Sequence, residues 1–265
     1  MTPPSCLAPS SVELPADFPA QEITFTGGDN LKLSGWYIEP HNDAVVILLH
    51  GYDANRTQLL WQARQLLDAG FGILLYDLRG HGESEGEQRT NGWRDVDDVA
   101  AALTVLDGRA GNIGIYGFSI GGQVALRAAA ELPTIHAVFV DGPAGATAAD
   151  YPAPANIQEQ FIFRLAPIAD RMLSDRTGTP IPNSVVDALP TIAPRPIYFV
   201  ATGQHPQIPG GEIRLIKPFY ELVKDHAQWW EIPEAGHGGG WQTRAEEYAM
   251  KLTTFFAVLE QSDAN

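Results

Sequence analysis

Apolar and polar positions alternate with a period of two near the start of the chain, then give way to solid apolar runs. Residues 23–26 (Ile-Thr-Phe-Thr) and 31–38 (Leu-Lys-Leu-Ser-Gly-Trp-Tyr-Ile) alternate on either side of Gly27, Gly28, Asp29 and Asn30, which predicts an antiparallel hairpin. Residues 44–49 are apolar throughout, as expected of a strand buried on both faces, and 71–76, 113–116, 135–140, 196–201 and 228–232 read as further buried strands. Between them the period changes. Residues 56–69 place Leu59, Leu60, Ala63, Leu66 and Leu67 on one helical face and stop at Gly70. Residues 95–107 carry Val96, Val99, Leu103 and Leu106 behind an acidic first turn and end at Gly108. Further helices are predicted over 123–131, around 219–223 and over 243–259, the last opened by Thr243 and Glu246 at capping-box spacing. Buried strands alternating with helices predict an α/β class: a mostly parallel central sheet, an antiparallel N-terminal hairpin, and helices on both faces.

The alternation fails between Asp141 and Pro190. That stretch is rich in Pro, Ala and Gly and holds one amphipathic piece, 157–173. Ordinary strand–helix connections are much shorter, so a small lid insertion over about 142–190, after the sixth strand, is expected. Residues 1–21, rich in Pro, Ser and Ala, are expected to form a flexible arm, and 22–265 a single domain; no internal repeat is present.

One segment carries the chemistry. Residues 113–122 read Ile-Gly-Ile-Tyr-Gly-Phe-Ser-Ile-Gly-Gly and run straight into an alanine-rich helix. A serine at the apex of a strand-to-helix turn crowds its neighbours, so glycines are needed two before and two after it. Gly117 and Gly121 occupy those places around Ser119, which makes this a candidate nucleophile elbow at a helix N-terminus. Gly82-Glu83-Ser84-Glu85-Gly86 has the same spacing, but no strand leads directly into it and no helix follows, so context selects Ser119.

Composition narrows the field. A formal net charge of −15 argues against nucleic acid or an anionic membrane as partner. Cys6 is the only cysteine, which rules out an intramolecular disulfide and a cysteine-based zinc cluster. The first residues lack a basic stretch followed by an apolar one, and no apolar run approaches a membrane span, so a cytoplasmic enzyme is expected. The histidines show neither His-x-His nor His-Glu-x-x-His spacing, and no metal or other cofactor is expected.

Leu48-Leu49-His50-Gly51 after the third strand, Asp77-Leu78-Arg79-Gly80-His81-Gly82-Glu83-Ser84 after the fourth and Gly117-Phe118-Ser119-Ile120-Gly121-Gly122 after the fifth follow one another in an order that resembles the α/β-hydrolase superfamily. The likeness is nearest to bacterial dienelactone-hydrolase-like and serine-aminopeptidase-like members, and covers about residues 22–259. It implies a general base on the loop after the last strand, where His237 stands among Gly236, Gly238, Gly239 and Gly240. His50 then belongs to the oxyanion loop and His81 to a turn, while His41, His136, His205 and His226 read as structural or solvent-facing. It also implies two backbone donors for an oxyanion, from Ile120 and Tyr52. The triad acid departs from the pattern, because Pro206 stands where relatives place aspartate, three residues after Gly203. Chain order leaves Glu212, six residues further on, Asp141, at the end of the sixth strand, or no working acid at all; Glu212 is the first choice, since its longer side chain can span a displaced backbone. Tyr151, Phe161, Phe163 and Trp241 are candidate lining for a substrate pocket.

The expected activity is cofactor-free hydrolysis of a small-molecule carboxylic ester, thioester or small amide through an acyl-enzyme on Ser119. The alternatives are an exopeptidase of the same fold, a non-catalytic shell that binds a small ligand, and a cofactor-free haloperoxidase or lyase. The missing aspartate is what raises the non-catalytic reading.

Overall fold

A computed structural model of the chain describes residues 11–154, 156–204 and 211–264. Eight strands form one sheet: β1 (Gln21–Thr26), β2 (Lys32–Ile38), β3 (Ala44–Leu49), β4 (Gly72–Tyr76), β5 (Asn112–Phe118), β6 (Ile135–Asp141), β7 (Ile197–Gln204) and β8 (Ala227–Gly236). Their order across the sheet is β1-β2-β4-β3-β5-β6-β7-β8. β1 pairs antiparallel with β2 and β2 with β4, and every other neighbouring pair is parallel. Asp29 and Asn30, at φ of 57° and 58°, turn the predicted hairpin.

The solid apolar runs serve two cores at once, because successive side chains of a strand point to opposite faces. Val45, Ile47 and Leu49 of β3 pack with Val99 of α2 (Asp95–Leu106), Val124 of α3 (Ile120–Glu131) and Phe219 of α6 (Gly211–Val223). Ala44, Val46 and Leu48 pack on the other side, with Ala63 of α1 (Leu60–Asp68) and Leu252 of α8 (Ala245–Phe256). A strand alternating apolar and polar would have left one of these layers without a partner.

β3 lies between β4 and β5, so the chain leaves it toward one edge and later returns on its other side. The crevice at the carboxyl ends of β3 and β5 is therefore a switch point, the place where open α/β sheets bind ligands. The loop bearing Tyr52 and the turn bearing Ser119 both open onto it.

Three details differ from the sequence reading. Residues 11–20, expected in the arm, carry buried side chains: Val12 and Phe18 lie in the α1–α8 core, where Phe18 meets Trp36 at 5.9 Å between ring centroids. The Val12 N–H donates to Glu83 Oε1 at 3.0 Å. Two apolar residues in a Pro- and Ala-rich stretch give no period, so composition alone hid them. The C-terminal helix α8 begins after Arg244 with no side-chain cap and is preceded by the short α7 (Gly240–Thr243), and the Thr243 hydroxyl, instead of capping it, donates back to the Gly239 carbonyl at 2.8 Å. Most consequential is α6, which begins at Gly211 rather than near Phe219 and runs through Pro218.

The expected insertion contains α4 (Ile157–Thr177) and the short α5 (Val185–Ala188). Asn156 caps α4 by accepting from the Glu159 N–H, and Gly178 ends it at φ 65°. Asp170 accepts from the Ala148 N–H at 2.7 Å, and Glu159 pairs with Arg214 at 2.7 Å. Ile157, Phe161, Leu165, Ile168 and Met172 all remain exposed.

Candidate functional site

The turn at Ser119 follows from two close approaches that leave no room for side chains. A Cβ on Gly117 would lie 2.3 Å from the Gly121 carbonyl oxygen, and one on Gly121 would lie 2.2 Å from that of Leu49. Ser119 itself sits at φ 53°, ψ −116°, a backbone conformation costly for any residue with a Cβ. The strain is held by neighbours. Its N–H donates to the Asp141 carbonyl at 3.0 Å, and its own carbonyl accepts from Gly122 (3.0 Å), Gln123 (3.2 Å) and Ala144 (3.0 Å).

His237 follows β8 and lies tilted against the Phe118 ring, 4.8 Å between centroids. Gly238 is at φ 71°, and a Cβ there would strike Phe118 at 2.6 Å, so glycine allows the close approach. His237 Nε2 is 3.0 Å from Ser119 Oγ. On the other side of the ring Nδ1 meets Glu212 Oε1 in a short contact. Glu212 is 1% exposed, and its second oxygen accepts from the Thr202 N–H at 2.9 Å. The structure thus brings Ser119, His237 and Glu212 into one line. Glu212 reaches the ring from the first turn of α6, which is why a helix start placed eight residues late obscured its position. Pro206 and His205 lie outside the described residues.

Asp141 sits close by but is otherwise engaged. It is buried, and Oδ2 accepts from the Tyr248 hydroxyl at 2.8 Å, with the Tyr116 hydroxyl at 3.5 Å. The two tyrosine hydroxyls are 3.0 Å apart, and Gln62 Nε2 reaches Tyr116 at 3.4 Å. Burial, then the charge of Glu212, push the Asp141 carboxyl up to about 7, while Tyr248 and His237 oppose the rise. This aromatic and amide cluster gave no signal in the sequence, since Tyr116 and Tyr248 read only as apolar positions of a strand and a helix.

A carboxyl whose folded pKa is raised keeps its proton after the unfolded chain has lost it. Folded stability is then undiminished below the ordinary aspartate value near 3.9, falls as pH climbs to about 7, and levels off above that. Asp141→Asn is expected to abolish this decline. Chemical denaturation should show the variant gaining on the parent between pH 4 and 8, by no more than about 4 kcal/mol at one pKa unit per 1.36 kcal/mol. Parallel pH curves for the two proteins would place the charge elsewhere.

The loop after β3, the candidate oxyanion loop, lies against the turn at Ser119: a Cβ on Gly51 would meet the Phe118 ring at 2.9 Å. Ile120, the first residue of α3, is buried, whereas the Tyr52 side chain is 55% exposed. A cleft of about 240 Å³ runs beside His237, bordered by Gln58, Gln62, Phe118, Asp141 and Trp241. Trp241 stacks on Trp61 at 5.1 Å, while Tyr151, Phe161 and Phe163 stand exposed on the insertion. Ser84, the competing serine, is structural: its buried hydroxyl donates to the Asp77 carbonyl at 2.6 Å and accepts from the Ser34 N–H at 3.0 Å. His136 is structural too, accepting from the Ile113 N–H at 3.1 Å. Among the described residues no group of three or more His, Cys, Asp or Glu is disposed to hold a metal ion, and no helix is long and apolar enough to cross a membrane.

Residues 46–251 match the α/β-hydrolase family, well over half of the chain. The chain belongs to that family. Bacillus subtilis YqkD is 30% identical over 196 residues, covering 67% of this chain and 60% of YqkD. The Aspergillus aculeatus thiohydrolase aneE is 33% identical over 116 residues, 41% of this chain and 36% of aneE. The chain therefore spans less than two thirds of the length of either relative. The solved structure of the Pyrococcus furiosus esterase Pf2001 superposes with a TM-score of 0.74 at 24% identity, over 96% of this chain and all of that one, a likeness of fold.

Proposed function

We propose that this α/β hydrolase is a serine hydrolase that cleaves a small carboxylic ester, or a related thioester or small amide. The observation that carries the reading is the line from the Glu212 carboxylate through both nitrogens of His237 to Ser119 Oγ, with a strained elbow beneath it. An acceptor on Nδ1 fixes the proton there and leaves the Nε2 lone pair facing the serine. His237 then takes the hydroxyl proton as Ser119 attacks the carbonyl carbon. The oxyanion forms against the N–H groups of Ile120 and Tyr52, each worth on the order of 10²–10³ in rate where such donors have been removed. His237 returns the proton to the leaving group, and a water activated by the same ring releases the acid. The similarity to aneE, named a thiohydrolase, supports keeping thioesters in the range, and the insertion is proposed to cover the acyl group.

The non-catalytic reading drew its strength from the proline at 206. Glu212 against the imidazole supports the catalytic reading instead. A fluorophosphonate probe tests the reading directly, since it needs an activated serine and little substrate recognition. One adduct is expected, on the peptide containing Ser119, and none after thermal unfolding. Folded protein that stays unlabelled at millimolar probe would sink the proposal.

A further inference from the structure

The loop after β3 has little in its own sequence to hold it still. Gly51 has no side chain, Tyr52 is mostly exposed, and Asp53 sits at φ 57°, in the left-handed region. Yet its amide is asked to point one way. We infer that Arg89 is a positioning residue: from the loop after β4 it braces Tyr52 and Asp53, so that the Tyr52 N–H is aimed before the acyl group arrives. The inference rests on the serine-hydrolase reading of the site.

The N-terminal half of the loop is fixed by His50. The Leu78 N–H donates to His50 Nε2 at 3.0 Å, so the ring proton lies on Nδ1, which donates to the Gly51 carbonyl at 2.7 Å. Burial holds this imidazole neutral, its pKa lowered to about 3, so the arrangement persists at any ordinary pH. The Gly51–Tyr52 peptide is planar and trans, and a carbonyl tied to His50 turns the Tyr52 N–H to the opposite side. What remains free is a rocking of that peptide plane, which is held from the Gly51 side alone until Tyr52 and Asp53 are held as well.

Arg89 removes that freedom. Its Nε donates to the Gly80 carbonyl at 3.1 Å, anchoring the guanidinium to its own loop. From there Nη1 donates to Asp53 Oδ1 at 2.7 Å, and the guanidinium carbon lies 5.2 Å from the centre of the Tyr52 ring. His81 meets the same ring edge-on at 5.9 Å, so Tyr52 is gripped by two residues of the opposite loop. Tyr52, His81, Arg89 and Ile120 border a single depression, which places the brace between the two candidate oxyanion donors. The Asp53 carboxyl is held below its ordinary range first by this hydrogen bond, although its side chain is 75% exposed. An ion pair that exposed adds little to global stability. Its value lies in geometry: one planar group bonds Gly80, bonds Asp53 and stacks on Tyr52 together, which a lysine ammonium cannot do.

The test compares the parent with Arg89→Met and Arg89→Lys by hydrogen exchange over residues 51–55, by kcat and KM on p-nitrophenyl butyrate, and by inhibition with a trifluoromethyl ketone. Arg89→Met should exchange faster in that segment alone and lose about 10- to 50-fold in kcat, less than deletion of a donor outright. Affinity for the ketone should fall in step, with KM and melting temperature nearly unchanged; Arg89→Lys should lie between. Unchanged exchange overturns the brace. Faster exchange with unchanged kcat overturns its role in positioning, and a loss confined to KM would make Arg89 a substrate contact instead. Parent protein no more active than Ser119→Ala would overturn the hydrolase reading beneath the inference, and exchange alone would then decide whether Arg89 holds the loop.

Discussion

Ser119→Ala is expected to abolish hydrolysis of p-nitrophenyl acetate and butyrate while leaving the melting temperature almost where it was. On the proposed mechanism, removal of a triad serine costs on the order of 10⁶ in kcat, because His237 would be left with no nucleophile to activate. Stability should hold for two reasons. Among the described residues the hydroxyl makes one side-chain hydrogen bond, 3.0 Å to His237 Nε2. The backbone strain at φ 53° is the same for alanine as for serine, and the bonds that restrain it are made by main-chain atoms. Ser84→Ala is the matched control and should behave in the opposite way. Its hydroxyl bridges Asp77 and Ser34 in a buried setting, so its loss is expected to cost about 1–3 kcal/mol of stability, with turnover per folded molecule unchanged. Comparable turnover in Ser119→Ala and the parent would remove Ser119 from the mechanism.

The contrast between those two serines shows what a linear pattern can carry. Both satisfy the same five-residue spacing, and what separates them is the element on either side. A strand buried on two faces leads into Ser119 and an alanine-rich helix leaves it, and each of those is written in local apolar periodicity. The same local periodicity made the eight strands and the sheet class legible, together with the glycines beside His237. Long-range polar contacts leave no such trace. Asp141, Tyr116, Tyr248 and Gln62 come from β6, β5, α8 and α1, and only the fold makes them neighbours. Glu212 was legible as the first choice over Asp141 but not as a helix residue, because the start of α6 was obscured by Pro218 and by the glycines before it. Once α6 is seen to begin at Gly211, the Glu212 carboxyl lies in its first turn, within hydrogen-bond distance of the Thr202 N–H on β7.

Geometry separates the two carboxyls, and kinetics should follow it. Glu212→Gln is expected to lower kcat by about three to four orders of magnitude, in line with the roughly 10⁴ that the acid is worth in comparable triads, with KM nearly unchanged. Glu212 serves two donors with its two oxygens: the Thr202 N–H on Oε2 and His237 on Oε1. A glutamine has only one oxygen to offer. If that oxygen keeps the Thr202 N–H, the amide NH₂ faces His237 Nδ1 and makes it an acceptor, which drives the ring proton to Nε2. The imidazole is then protonated where it must receive the serine proton, and it cannot act as a base. If the oxygen faces His237 instead, the Thr202 N–H is left against a donor in a buried site, at a cost of about 1–3 kcal/mol. Either arrangement leaves the substrate cleft intact, which is why KM should not move. Asp141→Asn should cost less than tenfold in kcat, since its hydrogen bonds go to tyrosine hydroxyls and its contact with the imidazole is through charge alone. Measured together at saturating substrate, the two variants decide the assignment. A large loss in Asp141→Asn with a mild one in Glu212→Gln would transfer the role to the end of β6, and two mild losses would mean that His237 works without a carboxylate.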